Sequence, residues 1–245
     1  MKEERLLLLA TIFFLIFLSY SYLDSFLINS FDNSEYGIAK RVIDGDTIEV
    51  GNYSIRLLGI NSPEKGELGY DKAKQFLIDR VLNKEIKLVF GKNKFDLYHR
   101  KLAYVFLENK NINLESVENG YSGFYFPEGK DSYYKQFSNA WKNCLDKSIN
   151  LCEKSEDYCI ILDEWNIQSQ KVILKNICNQ NVNIEGWSVK DEGRKKYVFK
   201  EKILKQNEKI VLTNEDWNET YVWTRTGDSI FVRDEKGKLV IWNNY

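Results

Sequence analysis

The sequence is poor in histidine, proline and methionine, with one, two and one of these residues in 245. Because His99 is the sole histidine, paired-histidine zinc sites and twin-histidine phosphodiesterase sites are hard to build in this chain. A histidine beside Arg100 is also more typical of a surface or loop residue than of a ligand. Any enzyme chemistry is therefore expected to use carboxylates, arginines and a hard metal ion.

The sequence also lacks a large excess of either charge. Its 35 Lys and Arg face 36 Asp and Glu, which gives a formal net charge of −1 at pH 7. Residues 1–34, 35–150 and 151–245 have net charges of −2, +2 and −1. No strongly basic tail indicates nucleic-acid binding, and a charge of +2 is a weak indication of a polyanionic ligand.

One stretch, residues 6–23, has no charged residue at all. Its 18 residues would span about 27 Å as a helix, close to the ~30 Å hydrocarbon core of a bilayer. Lys2 and Arg5 precede it and favour a cytoplasmic N-terminus with the remainder exported. We interpret residues 1–34 as an uncleaved membrane anchor, because no clear small-x-small cleavage site follows; a cleaved signal peptide is the alternative. The folded domains would then lie outside the cytoplasm, on a single-pass membrane protein or a secreted one.

Cysteine is scarce too, with four residues, all beyond the apolar stretch. None forms a C-x-x-C pair, so a structural zinc site is not indicated. Cys159 and Cys178 flank two strand-like runs, and a turn near Gln168 would place them opposite each other. This arrangement predicts a Cys159–Cys178 disulfide and leaves Cys144–Cys152 as the second pair, one of the three connectivities that four cysteines allow.

Beyond the apolar stretch the chain divides into two parts, both rich in strand patterns. Up to about Lys110, short β-branched or aromatic runs such as TIEV, SIRLLGI and KLAYVFL alternate with turn signals. Helical spacing appears at YDKAKQFLIDRVL, NINLESVEN and DSYYKQFSNAWKNCL. We predict a mainly β fold with helices: an OB-fold barrel with three helices in residues 35–150, then a two-sheet sandwich in residues 155–245.

Carboxylates and amides cluster around VIDGDTIEV (42–50) and RLLGINSPE (56–64). Asp46 and Asn61 end adjacent strand-like runs, so their oxygens could converge on a hard cation such as Ca²⁺. The competing interpretation is structural, with Asp44 and Asp46 forming only a turn.

Two arginines complete this set, since Arg56 lies between the clusters and Arg100 follows in FDLYHRKLAYV. Phosphodiester hydrolysis needs cationic charge on the phosphate oxygens, a base that orients water, and forked donors. The competing interpretation makes Arg56 a partner in a surface ion pair.

The order and spacing of VIDGDTIEV, RLLGINSPE, YHRKLAYV and NLESVENGYS resemble those of the staphylococcal-nuclease-like (thermonuclease) family over about residues 37–147. The resemblance implies an OB-type barrel with three helices that cleaves DNA and RNA phosphodiesters with Ca²⁺. It also implies that Arg56 and Arg100 clamp the phosphate and that Glu64 is the general base.

The same resemblance implies that Asp46, Asn61 and the backbone carbonyl of Ser62 hold the metal, with Asp44 and Thr47 supporting the loop. One position departs from the family, because Asn61 stands where the well-studied secreted member has Asp. An amide oxygen coordinates Ca²⁺ without adding charge, so we expect an active enzyme that needs more metal.

Aromatic residues follow Gly120, where the family places such side chains near the nucleotide. Tyr121, Phe124 and Phe126 are accordingly expected to bind substrate by stacking on bases, with core packing as the alternative.

The end of the chain, about residues 159–245, resembles the lamin-tail domain. The resemblance implies an immunoglobulin-like β-sandwich with a binding role, for which nucleic acid, the cell envelope and another protein are the candidate ligands. The matching residues are Gly186, Trp187, Asp191, Gly227, Asp228, Asp234 and Gly237.

Together these features predict a membrane-tethered or secreted, Ca²⁺-dependent endonuclease acting on DNA or RNA. The alternative is a catalytically weakened surface protein that binds nucleic acid or the envelope. The presence of Arg56, Glu64 and Arg100 favours the enzyme.

Overall fold

The first part of the chain closes into a β-barrel, as predicted. The antiparallel order β3-β2-β1-β5-β6 is sealed by a parallel pairing of β3 with β6, which joins Ile55 to Lys101 and Leu57 to Ala103. Strands β4 and β8 pair beside it. The strands are β1 (Ser34–Val42), β2 (Thr47–Val50), β3 (Tyr53–Leu57), β4 (Gly59–Asn61), β5 (Glu85–Phe95), β6 (Lys101–Leu107), β7 (Lys110–Asn111) and β8 (Gly123–Tyr125).

This computed structural model describes residues 33–127 and 129–245. The apolar stretch at residues 6–23, predicted as an anchor or signal segment, lies outside the described residues. Within the described ranges, no helix has the length and apolar character needed to cross a bilayer.

The described residues contain three α-helices, at the positions that the sequence spacing predicts. They are α1 (Tyr70–Val81), α2 (Ile112–Glu118) and α3 (Tyr134–Lys147). The side chain of Asn111 caps α2 by accepting from the backbone N–H of Leu114. Gly120 follows α2 with φ of 67°, and a Cβ there would lie 2.6 Å from the carbonyl oxygen of Ile149. Glycine is therefore required where the chain turns from α2 towards α3.

The C-terminal region, which we define as residues 159–245, consists of strands and turns in three small sheets. Their orders are β15-β10-β9, β11-β14 and β13-β12-β16-β17. The strands are β9 (Ile160–Asn166), β10 (Lys171–Asn176), β11 (Val182–Asn183), β12 (Ser188–Lys190), β13 (Lys196–Val198), β14 (Ile203–Leu204), β15 (Lys209–Thr213), β16 (Ser229–Arg233) and β17 (Leu239–Asn244). The immunoglobulin-like assignment of this region stays a prediction.

Each part has its own hydrophobic core and its own disulfide. The barrel core includes Cys144, bonded to Cys152, and the C-terminal core includes Cys159, bonded to Cys178. Trp187 lies in the C-terminal core, where its indole N–H donates to Glu235 at 3.1 Å. All four cysteines of the sequence are therefore in disulfides.

The two parts are joined by a shared aromatic contact. Trp141 on α3 packs edge-on against Phe231 at 5.7 Å between ring centroids and also contacts Trp242 at 6.3 Å. Phe231 and Leu239 belong to the barrel core although they lie on C-terminal strands. The backbone N–H of Leu239 donates to the carbonyl of Glu153 at 2.7 Å. The C-terminal region is therefore held against the barrel by buried apolar area, which fixes its loops relative to β4.

Candidate active site

The turn between β1 and β2 fixes the carboxylate of Asp46 inside the barrel end. Asp46 is 6% exposed, and its Oδ2 accepts from the backbone N–H of Ser62 at 2.8 Å and from its hydroxyl at 3.0 Å. Its Oδ1 accepts from the hydroxyl of Thr47 at 3.1 Å. The Asp44 carboxylate accepts from the backbone N–H of Asp46 at 3.1 Å, and burial, together with the Asp46 charge, raises the pKa of Asp44. These bonds tie the loop to the end of β4.

Arg56 on β3 is buried and bridges the two side chains predicted to bind metal. One of its terminal nitrogens lies 3.3 Å from Asp46 Oδ2 and 3.4 Å from Asn61 Oδ1. The other donates to the carbonyl of Leu57 at 2.6 Å. Since Arg56 is 8% exposed, it is not the surface residue of the competing interpretation. A buried guanidinium is stable here because Asp46 and these acceptors compensate for its lost hydration.

The positions of Asp46 Oδ2 and Asn61 Oδ1 bear on the predicted calcium site, because both oxygens lie close to the same Arg56 nitrogen. Carboxylate and amide oxygens that meet at one point are the donor types that Ca²⁺ takes, so the residues fit the ion in kind. The charge is low, because Asn61 contributes none. Across residues 33–127 and 129–245, no group of three or more His, Cys, Asp or Glu side chains is placed to hold a metal ion.

Arg100 precedes β6 and is oriented by Asp96. Its Nε donates to Asp96 Oδ2 at 2.7 Å, and its backbone N–H donates to Oδ1 at 2.9 Å. Burial pushes the pKa of Asp96 up, but these bonds outweigh it and hold that pKa below its ordinary value. The Arg100 guanidinium also lies 5.5 Å from the ring centre of Tyr98.

Both arginines line one cleft of about 510 Å³ on the barrel surface. Tyr98, Tyr125 and Lys130 also line it. Tyr125 belongs to the aromatic run after Gly120, whereas no sequence pattern had indicated Tyr98 or Lys130 as site residues. Asn61 and Ser62 instead line a second cavity, of about 330 Å³, between the barrel and the C-terminal region. The structure thus places both arginines on one cleft, while Asn61 and Ser62 face the second cavity.

Glu64, the predicted general base, lies just after Pro63 and is engaged by the C-terminal region. Its Oε1 lies 2.8 Å from Nε of Arg194, in a pair whose side chains are 48% and 63% exposed. The backbone N–H of Glu64 donates to Glu67 at 3.0 Å. Glu64 is therefore accessible, although its carboxylate is paired.

The three aromatic residues expected to bind substrate occupy different environments. Phe126 lies on the cleft wall and packs edge-on against Phe137 at 5.5 Å. Phe124 is 3% exposed, because it packs between Trp141 and other core rings, so its expected stacking on a base is corrected to core packing. Tyr121 stacks on Phe76 at 4.6 Å. Of the three, Phe126 is the one that the structure brings to the cleft.

The side chain of Asn61 also contacts the C-terminal region, which no sequence pattern predicted. The side-chain N–H₂ of Asn61 donates to the carbonyls of Glu192 at 3.1 Å and Gly193 at 2.8 Å. The nearby carboxylates of Asp191 and Glu192 are buried close to Asp228, and burial in addition to that charge raises their pKa values to about 7 and about 8. Nothing local in the sequence marks this contact, since its partners lie more than a hundred residues apart.

Comparison with known proteins locates this site within a family. The family model described as "Staphylococcal nuclease homologue" matches residues 54–154. The thermonuclease of Staphylococcus intermedius is 30% identical over 127 residues, which cover 48% of this chain and 76% of that protein. The chain belongs to the staphylococcal nuclease homologue family.

Other family relatives bear names of the same kind. An uncharacterized endonuclease of Haemophilus influenzae is 39% identical over 116 residues, covering 45% of this chain and 62% of that protein, which is less than two thirds of its length. Endonuclease YhcR of Bacillus subtilis is 33% identical over 124 residues, covering 42% of this chain and 10% of that protein. The family match ends at residue 154, before the C-terminal region.

Proposed function

We propose that the protein is a metal-dependent nuclease that hydrolyses phosphodiester bonds in DNA or RNA. The observation that carries the proposal is the buried Arg56, which reaches both Asp46 and Asn61 and lines one cleft together with Arg100. Relatives named thermonuclease and endonuclease support it. Nucleic acid is accordingly the proposed substrate.

The arginines are proposed to bind the scissile phosphate. A guanidinium presents forked donors that match two phosphate oxygens, and within a partly desolvated cleft such donors stabilise developing negative charge strongly. Arg56 is held rigidly by its buried partners, whereas Arg100 is oriented by Asp96. Glu64 is proposed to accept a proton from the attacking water.

The proposed cofactor is Ca²⁺, held by Asp46, the side-chain oxygen of Asn61 and the backbone carbonyl of Ser62. When bound, the ion would stabilise negative charge on the phosphate oxygens. Because Asn61 adds no charge, the metal requirement is proposed to be higher than with a second carboxylate.

The location and the second domain are proposed from sequence. The apolar residues 6–23 support a membrane tether or a signal peptide, and two disulfides support an oxidising compartment outside the cytoplasm. The C-terminal region is proposed to be a lamin-tail-like sandwich with a binding or positioning role, and an envelope component is one candidate ligand.

A second candidate function is a nucleic-acid or envelope-binding surface protein with weakened catalysis. The observation in its favour is the uncharged Asn61 between Arg56 and the carbonyls of the C-terminal loop. The two functions differ in whether bound nucleic acid is cut.

The deciding experiment is digestion of plasmid DNA and of RNA by the full-length chain, with Ca²⁺ titrated against EDTA. We expect metal-dependent cleavage that falls about 10²–10⁴-fold in Glu64→Gln, because general base catalysis contributes about that factor. Glu185→Gln, the same change at an exposed residue of the C-terminal region, is the control and should cut like the wild type. Binding without cleavage at any metal concentration would establish the second function instead.

A further inference from the structure

A hairpin loop of the C-terminal region, Asp191–Lys195, reaches the candidate active site. It connects β12 to β13, which pair through Lys190 and Lys196. The loop is closed by the N–H of Asp191 donating to the carbonyl of Lys195 at 3.1 Å, and by the N–H of Lys195 donating to Asp191 Oδ1 at 2.9 Å. Its conformation is therefore defined by its own hydrogen bonds.

The loop is also anchored to the barrel on both sides. At its centre, the carbonyls of Glu192 and Gly193 accept from Asn61 at 3.1 and 2.8 Å. At its base, Lys190 and Lys196 both pair with Glu67, at 3.5 and 3.4 Å. Arg194 follows Gly193, and these contacts bring its side chain against Glu64.

The face that the loop shows to solvent is cationic. Asp191 is 7% exposed, and the carboxylate of Glu192 turns inward to accept from the hydroxyl of Ser229 at 3.4 Å. Arg194, by contrast, is 63% exposed at its side chain. Lys190 and Lys196 are paired with Glu67, and the Lys195 ammonium donates to the carbonyl of Tyr221 at 2.7 Å, so the cationic character of this face comes mainly from Arg194.

The pair between Arg194 and Glu64 marks a position where this loop already holds an anion. Ion pairs exposed to this degree contribute little net free energy, so another anion can replace the carboxylate. A phosphodiester is a suitable replacement, because its oxygens match the forked donors of arginine. The exchange would leave Glu64 free to act on water.

We propose that Arg194 is a third phosphate-binding arginine of this site, supplied by the C-terminal region, and that it exchanges Glu64 for a backbone phosphate of the nucleic acid. This inference rests on the proposed function and deepens it, because it makes the C-terminal loop part of the substrate-binding surface. In this proposal, the loop contacts the nucleic-acid backbone next to Glu64.

The test measures binding separately from cleavage. A fluorescently labelled single-stranded oligonucleotide is titrated with the full-length chain in EDTA at several salt concentrations. The variants are Arg194→Ala, Arg194→Lys and Arg225→Ala, the last being the same truncation at an exposed arginine of the same region. Arg194 and Arg225 are both exposed, so neither truncation removes core packing.

We expect Arg194→Ala to raise Kd roughly 3–10-fold and to lower the slope of log K against log salt by about 1, since one phosphate contact is lost. Arg194→Lys should keep the wild-type salt slope, because its charge is kept, but should bind more weakly than the wild type, because the forked donors are lost. Arg225→Ala should match the wild type. With Ca²⁺ present, KM should rise with Kd while kcat changes less. A wild-type Kd and salt slope in Arg194→Ala would overturn the inference, as would faster cleavage with unchanged binding, because Arg194 would then only restrain Glu64.

The same measurements distinguish failure of the inference from failure of the proposed function. A wild-type chain that cuts nucleic acid while Arg194→Ala behaves identically removes the inference alone. A chain whose binding depends on Arg194 but which never cuts removes the nuclease and keeps the phosphate-binding loop.

Discussion

The barrel and the C-terminal region differ in how their buried charged groups are compensated. In the barrel, Arg56 and Asp46 are both below 10% exposed and lie 3.3 Å apart, so each charge has an opposite partner. In the C-terminal region, Asp191, Glu192 and Asp228 are like-charged neighbours, and burial raises the pKa of each. The barrel therefore holds its buried charges as an opposite pair, whereas burial and like charge in the C-terminal region favour the protonated form of its carboxyl groups.

The largest effect is expected from removing the aromatic contact that joins the barrel to the C-terminal region. Trp141→Ala should destabilise the chain by about 3–5 kcal/mol, because a fully buried indole that contacts Phe231 and Trp242 is lost. We also expect the barrel and the C-terminal region to unfold in separate transitions. Urea unfolding followed by far-UV circular dichroism measures both effects.

Trp223→Ala is the matched control for that variant. Trp223 is 1% exposed and packs against Trp165 and Trp217, all within the C-terminal region. Trp223→Ala should lower the free energy of unfolding by a similar amount. It should not separate the unfolding transitions of the two parts, because the contact between them is intact. A Trp141→Ala protein that unfolds at the wild-type urea midpoint would show that the two parts do not depend on this contact.

The next largest effect is expected at the hydrogen bonds between the two parts. Asn61→Asp replaces a donor by a carboxylate that faces the carbonyls of Glu192 and Gly193. In EDTA we expect a loss of about 1–3 kcal/mol in the free energy of unfolding, because two bonds are replaced by repulsion. Thermal unfolding of the full-length chain measures it.

Asn183→Asp provides the corresponding control, since Asn183 is exposed and uses its side-chain oxygen as an acceptor for Glu185. It should unfold within a few tenths of a kcal/mol of wild type, as surface changes usually do. Equal stability of the two Asp variants would mean that the loop does not restrain residue 61.

The smallest effect is a pH dependence of the C-terminal region. The pKa of Glu192 is raised to about 8 by burial and by Asp228, so the folded state binds this proton more tightly than the unfolded state. Stability from this group is full below the ordinary pKa of Glu and is lost as pH rises through about 8. Glu192→Gln should therefore reduce the fall in stability between about pH 5 and pH 8.5 by about 1 kcal/mol or more.

Urea unfolding at both pH values checks this sign, and Glu185→Gln serves as an exposed control. If Glu192→Gln and wild type lose the same stability on going to the higher pH, Glu192 is ionised in the folded protein throughout that range.

The sequence predicted those features of the molecule that depend on residues close to one another along the chain. Period-two runs and turn signals located the barrel strands, and helical spacing located α1, α2 and α3. The motif spacing also placed Asp46 and Asn61 at the ends of strand-like runs with Arg56 between them, and in the structure one nitrogen of Arg56 lies within 3.4 Å of both side chains. These features lie within about twenty residues of one another along the chain, so local pattern is sufficient to relate them.

Which surface each side chain faces was decided only by tertiary packing. Phe124 and Phe126 are two residues apart, yet one is in the core against Trp141 and the other lines the cleft. The contact between Asn61 and the Glu192 carbonyl spans 131 residues and exists because two separate cores meet at Trp141. A local pattern records which face of an element is apolar, but not which distant element covers it; that depends on how the apolar areas of the whole chain are buried together.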